Sequence, residues 1–437
     1  MNINRINQLL LSLGLFLSVE SMAQKDTSFI SFHSQATSIS QYHPKFRSPY
    51  AGGNSLQSDE KIASSLTNTL FFAVKPWKGG LLIVNPEVAG GVGFSGTTGI
   101  AGFPNGEIFR VGNPKPTIYL ARLVYEQVIP LGHTTYEYVT DAANLVRGYY
   151  PVDYIKFFGG RFCLADFFDA NPYSHDPRSQ FMNWSFMSGG AWDYAADTRG
   201  YTWGIGSEWR KKNWRAALAF TLEPGVANSL EMDMHIDKAF ASQAEITHFH
   251  QINGHAGQLQ GTVFLNNAHM GNYREALLKN PFGPDITTAE DYKNHKWGWI
   301  INGAQQFNTN LGVYARISWN DGLNETWAFT EIDRSVNVGL QWSHSKTNND
   351  KVLGGGLVIN GLSKDHRNYL AAGGYGFIIG DGRLNYSQEM ISEVYYRLNF
   401  FNDHLQVSPD YQFVLHPAYN KDRGPVHIFS LRTHIEL

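Results

Sequence analysis

The sequence predicts an all-β chain closed into a transmembrane, antiparallel β-barrel of about sixteen strands, with short periplasmic turns and long extracellular loops, some folded into the lumen. Three observations carry the prediction. Strand-like segments are joined alternately by very short turns and long polar loops. Lys211-Lys212-Asn213, Asn308-Thr309-Asn310 and Asn402-Asp403-His404 are short links, whereas Glu223 to Lys238, Gly271 to His295 and Ser363 to Gln388 are long ones. Within the segments, apolar and polar residues alternate with period two. Beyond the N-terminus, no apolar run of about 18 residues is present, which leaves strands rather than helices to cross a bilayer.

The composition agrees. In 437 residues, 14% are aromatic and 17% charged, against about 25% charged in a typical soluble domain. A barrel wall needs only every second residue to be apolar, so a mean hydropathy of -0.29 is compatible with spanning. A net charge of -3 gives no support for nucleic acid as a partner. Cys163 is the single cysteine, which excludes an internal disulfide and a cysteine-built metal cluster.

Taken in order, the elements begin with Arg5, which precedes an apolar stretch from Leu9 to Val19. Ser21-Met22-Ala23 then supplies small residues at the positions of a cleavage site. This predicts a signal peptide over residues 1–23, cleaved after Ala23, with residues 24–437 forming a single barrel domain in the outer membrane of a Gram-negative cell.

Period two then gives the strands. The early candidates are Phe29–His43, Lys61–Lys75, Gly80–Gly90, Thr117–Ile129 and Asp153–Leu164. Tyr201–Arg210, Trp214–Leu222, Ala239–Ile252, Gly257–His269, Lys296–Phe307 and Leu311–Asn320 follow. Ser335–Ser343, Lys351–Gly361, Met390–Phe401, Leu405–His416 and His427–Leu437 complete the set. In the segment Tyr201, Trp203, Ile205, Ser207, Trp209 one face is largely aromatic and apolar, while Thr202, Gly204, Gly206, Glu208 and Arg210 make the other. In the last strand Phe429, Leu431 and Ile435 oppose Ser430, Arg432, His434 and Glu436. An even strand count places both termini on the periplasmic side. One link breaks the rhythm: Pro130 to Val152 should be a short periplasmic turn but is long, and its Thr140 to Arg147 section is compatible with a helical turn.

Two long loops carry the chemistry. Gly99 to Pro114 and Leu164 to Trp184 both mix acids, arginines, amides and aromatics at close spacing. Planar carboxylate, guanidinium and amide groups hydrogen-bond vicinal hydroxyls, and aromatic faces cover sugar C–H surface. The same composition also suits loops that merely cap and order a barrel mouth, and chemistry alone leaves both readings open.

Several of these segments together resemble a known family. Asn85-Pro86-Glu87, Gly99-Ile100-Ala101-Gly102-Phe103-Pro104-Asn105-Gly106-Glu107, Tyr119-Leu120-Ala121-Arg122 and Gly160-Arg161-Phe162-Cys163-Leu164-Ala165-Asp166-Phe167-Phe168-Asp169 are similar to the carbohydrate-selective porins of OprB type. Phe181-Met182-Asn183, Ala191-Trp192-Asp193-Tyr194 and Trp319-Asn320-Asp321-Gly322 fit as well, so the resemblance covers about residues 30 to 437. The chain departs from the usual outer-membrane pattern by ending in Leu437 rather than an aromatic residue. The resemblance implies passive diffusion of monosaccharides and related sugars through a pore narrowed by inward-folded loops. Carried onto this sequence, Glu107, Arg110, Arg122, Arg161, Asp166 and Asp169 become the charged candidates for the constriction, with Trp184, Trp192 and Asp193 beside them. Small carbohydrates are then the passing partner, outer-membrane lipid and lipopolysaccharide surround the wall, the barrel-assembly machinery inserts it, and no cofactor is required.

The alternative is an outer-membrane barrel enzyme or saccharide-binding anchor, with Asp166 and Asp169, or Glu107 and Asp193, as a carboxylate pair for glycoside hydrolysis. His248 and His250 share a strand face, but no carboxylate or cysteine accompanies them there, which favours an interfacial or lumen pair over a metal site.

Overall fold

A computed structural model describes residues 28–108, 115–344 and 351–437. The expected signal peptide and Arg110 lie outside the described residues. Sixteen antiparallel strands close into one barrel. Five precede the longest inward loop: β1 (Ile30–Tyr42), β2 (Ala63–Val74), β3 (Gly80–Gly91), β4 (Thr117–Pro130) and β5 (Tyr154–Phe162). The middle of the wall is β6 (Thr202–Lys211), β7 (Trp214–Thr221), β8 (Phe240–Ile252), β9 (His255–Asn267), β10 (His295–Gln306) and β11 (Leu311–Asn320). It finishes with β12 (Arg334–His344), β13 (Lys351–Gly361), β14 (Glu389–Phe400), β15 (Leu405–Leu415) and β16 (Val426–Glu436). Each lies within two residues of the range read from period two. β16 pairs with β1, from Gln35 opposite Glu436 to Tyr42 opposite Phe429, so the barrel sheet closes on itself.

The alternation sorts as a barrel in lipid requires. Trp203, Ile205, Phe429 and Leu431 point outward and are exposed, whereas Glu208, Ser430, Arg432 and His434 point inward and are buried. In lipid an outward apolar band costs nothing, and the inward polar face can satisfy whatever fills the lumen. His248 and His250 share the outward parity of Ile246, beside Trp214, whose ring centroid lies 4.5 Å from that of His248.

One irregularity shapes the pore. Pro86 in β3 has no N–H to donate, and here the ladder slips: Asn85 pairs with Arg122, but Pro86 pairs with Leu120. Ala121 is the extra residue of the resulting bulge. Tyr119 and Arg122, three apart and expected on opposite faces, therefore both turn into the lumen.

The lumen is filled largely by the third long loop, residues 163–201. Wall residues far apart in sequence hold its backbone. Glu245 of β8 accepts from Asp169 N at 2.7 Å, and Glu393 of β14 accepts from Met182 N and Asn183 N at 2.5 and 3.0 Å. Arg316 of β11 donates to the carbonyls of Phe186 and Ser174 at 2.8 and 2.6 Å, and Arg432 of β16 to those of Pro177 and Gln180 at 2.7 and 2.6 Å. Hydrogen bonds to charged groups contribute about 1.5–3 kcal/mol each, so the loop is strapped across the barrel rather than draped over its mouth.

The second long loop, between β3 and β4, is fastened to the third. Asn183 caps the short helix Trp184–Met187 by accepting from Ser185 N, and its amide donates to Gly102 O at 2.7 Å. At residue 102 a Cβ would press on Ser185 Oγ and Ile391 Cδ1, so glycine lets the two loops approach without displacing those side chains.

The long periplasmic link is not helical. Tyr136–Val139 pairs with Gly148–Pro151 as a small hairpin, whose tip closes through a bridge between Ala142 and Leu145 with Asn144 at φ +62°. The alternating aromatic run Tyr136, Tyr138 and the matching Tyr149 favour strand over helix, and Tyr138 meets Tyr149 edge-on across the pair.

Candidate functional site

Two cavities lie along the lumen, one on each side of a neck. The outer one holds about 310 Å³ and is bounded by β3, β4 and the second and third long loops. The inner one, toward the periplasm, holds about 580 Å³. Arg122, Asp166 and His175 border both and so form the neck.

Charges at the neck are paired rather than bare. Arg122 Nε and Nη2 donate to the two oxygens of Asp166 at 2.7 and 2.5 Å, the planar fork matching the carboxylate. Arg178 of the third loop donates through Nε to Glu107 at 2.5 and 2.8 Å and through Nη2 to Glu87 of β3 at 3.2 Å. Glu87 is further held by Thr69 Oγ1 at 2.5 Å and by the Tyr119 hydroxyl. His175 is kept neutral, because burial and the Arg316 charge push its pKa below the ordinary histidine value. Its Nδ1 has no hydrogen-bond partner among the described residues.

Aromatic rings complete the surround. Arg122 sits 5.4 Å from the Tyr201 ring centroid, and Arg199 sits 4.0 Å from that of Tyr119. Trp184 borders the outer cavity, stacked on Phe103 at 5.0 Å, which presents a fixed ring rather than a mobile one.

The nine expected site residues separate into groups. Glu107, Arg122, Asp166 and Trp184 border the cavities. Arg161, Asp169, Trp192 and Asp193 border neither and hold the loops from behind. Arg161 is spent on Asp197 at 2.6 Å and Leu120 O at 2.8 Å. Asp169, wholly buried, takes Asn302 Nδ2 at 2.7 Å, Gly189 N at 2.7 Å and Arg316 Nε at 3.2 Å. Asp193, equally buried, accepts from the N–H groups of Trp327, Ala328 and Phe329 at 2.7, 3.0 and 3.0 Å, pinning the loop before β12. Trp192 packs against Tyr194 in the core. Arg110 lies outside the described residues.

Both carboxylate pairs weighed for glycoside hydrolysis thus lose a member, since neither Asp169 nor Asp193 reaches a cavity. Cys163 is kept as a thiol, pushed up to about 12 by burial and the Asp166 charge. Glu87, Arg178, Tyr119, Tyr201 and His175 were missed as site residues. The first three became legible only with the register shift and the fold of the third loop.

A closed barrel with an outward apolar band, a polar lumen and a neck built by inward loops defines an outer-membrane diffusion channel of the porin class. The chain belongs to the carbohydrate-selective porin, OprB family, whose model matches residues 73–437. It is similar in structure to OprB of Pseudomonas putida, with a TM-score of 0.68 at 15% identity, covering 93% of this chain and 94% of that one. The outer membrane channel DcaP of Acinetobacter baumannii is a more distant likeness, with a TM-score of 0.52 at 9% identity, covering 95% and 100%. At these identities the likeness speaks for the fold. Among curated proteins no sequence match is found.

Proposed function

We propose that the neck passes small, uncharged polyols of monosaccharide size by diffusion, with Arg122, Asp166, Arg178, Glu107 and Glu87 as the polar contacts and Tyr119, Tyr201 and Trp184 as the ring surface. The observation that carries this reading is the pairing of Arg122 with Asp166, and of Arg178 with Glu107 and Glu87, beside the cavities. A ring of one sign would select ions, whereas fixed pairs of opposite sign offer donors and acceptors side by side with little net field. A hydroxyl-rich solute can exchange its water shell for these groups one contact at a time, and no covalent step is needed. The outward apolar band suits outer-membrane lipid with lipopolysaccharide in its outer leaflet, and the barrel-assembly machinery is the expected means of its insertion.

Swelling of liposomes that hold the purified protein tests the reading. Isomeric monosaccharides and polyols of equal size are expected to enter at different rates. Impermeable vesicles, or rates set by solute size alone, overturn it.

A further inference from the structure

The segment between β4 and β5 has no counterpart among the other described periplasmic links, which are short. It does not hang into the periplasm. Its tip turns up into the barrel, where Asn85 Nδ2 of β3 donates to Asn144 Oδ1 at 2.7 Å. Asn85 is fully buried and pairs directly with Arg122 in the β3–β4 ladder, so the tip ends one residue pair from the neck. Asn85 also lies five residues from the periplasmic end of β3. At about 3.3 Å per residue and a tilt near 40°, the tip reaches roughly 12 Å into the lumen.

The hairpin is fastened there on several sides. Lys75 Nζ donates to Arg147 O at 3.0 Å and lies 4.2 Å from the centroid of the Tyr150 ring. His33 on β1 reaches Asp141 at 3.3 Å. Val146 is fully buried in the apolar cluster that includes Ala73, Leu81, Ile83 and Val124. A segment serving only to connect two strands would not bury an apolar side chain and spend three wall residues inside a pore.

Between this hairpin and the neck lies the 580 Å³ cavity, whose floor includes Val139, Asn144, Leu145 and Tyr150. Its wall repeats the chemistry of the neck with different residues. Lys156 stands between Glu126 at 3.6 Å and Glu208 at 3.8 Å, and Tyr154 donates to Glu208 at 2.5 Å. Phe167 presents a ring held by stacking on Phe158 at 3.9 Å. Paired charges, phenol groups and an aromatic face in a volume within the usual range for small-ligand sites make a polyol subsite.

We propose that the hairpin of residues 131–153 is a second, exit-side size filter, and that the chamber it closes is a second subsite for one monosaccharide-sized polyol on its way out of the neck. The subsite rests on the polyol reading above, whereas the filter does not.

Two variants test it in planar bilayers and liposomes. The first replaces residues 140–147 with Gly-Gly. The second is Leu145→Cys in a Cys163→Ser background, treated from the periplasmic side with a bulky thiol reagent. With pore diameter controlling conduction, tip removal is expected to raise the potassium chloride conductance at least about two-fold, and labelling to lower it by a similar factor. Disaccharide swelling should rise relative to monosaccharide swelling only after tip removal. Unchanged conductance in a correctly inserted tip variant overturns the filter, and so does a labelled Leu145→Cys channel that conducts normally. An unaltered disaccharide-to-monosaccharide ratio after tip removal also overturns the filter, whereas an unaltered preference among isomeric monosaccharides removes only the subsite. Failure of the polyol reading itself would show separately, as indifference to sugar identity in the unmodified channel.

Discussion

Arg122 and Asp166 face each other between the two cavities of the lumen through two hydrogen bonds of 2.7 and 2.5 Å. The bulge at Pro86 brings the arginine to this face, and the third long loop brings the aspartate. The pair is therefore an interaction between wall and loop, and each member depends on a different local feature of the chain.

Arg122→Ala leaves the Asp166 carboxylate alone beside the pore. The expected outcome is a channel more selective for cations and less able to distinguish isomeric sugars. Reversal potentials in a salt gradient, with swelling rates alongside, measure both. An Arg122→Ala channel with unaltered ion preference would show that the pair is not exposed to the permeating solution.

Arg178 compensates two carboxylates at once. Arg178→Met strands Glu87 and Glu107 against each other, and breaking one partner of a buried pair costs up to about 3–5 kcal/mol. The second long loop should loosen, read as faster proteolysis after residue 92 and a noisier current. Arg178→Lys is expected to rescue little, because an ammonium cannot span both acids as a guanidinium fork does.

Asp169 offers a test of placement. If it bordered the pore, Asp169→Asn would alter ion selectivity and leave the conductance close to that of the parent. Behind the third loop, where Arg316 and Asn302 hold it, the same change is expected to release that loop. Conductance should then rise while the barrel keeps its resistance to unfolding in detergent.

His175 predicts a dependence on acid. Burial and Arg316 lower its pKa, while Asp169, Asp176 and Asp166 push the other way without prevailing. A histidine that binds its proton less readily when folded stabilises the native state at neutral pH, and this contribution is lost as pH falls below about 6.5. Open-channel noise should increase between neutral and mildly acidic solution, and His175→Gln should flatten that response. A variant as acid-sensitive as the parent would place the response elsewhere.

The wall was legible because its physics is local: period two, short turns and a polar inward face can all be read within ten residues. The neck was only half legible. Glu107, Arg122, Asp166 and Trp184, carried over from the resemblance to the carbohydrate-selective porins, do border the cavities. Asp169 and Asp193 have the same types at the same spacing, and are set apart only by partners more than a hundred residues away, Arg316 and the Trp327–Phe329 backbone. Tyr119 was hidden by a register shift at one proline. The hairpin tip was misread because Thr140 to Arg147, taken alone, has the composition of a helical turn, and its contacts with Lys75 and Asn85 are invisible along the chain.

The straps on the third loop carry a consequence for the order in which the molecule takes shape. Arg432 grips Pro177 across a sequence separation of 255 residues, from a strand that is the last to be made and the one that seals the cylinder. Contacts this distant cannot reward the chain until the ends have been brought together. The full set of straps is therefore complete only when the last strand seals the cylinder, and the fixed bore depends on that closure.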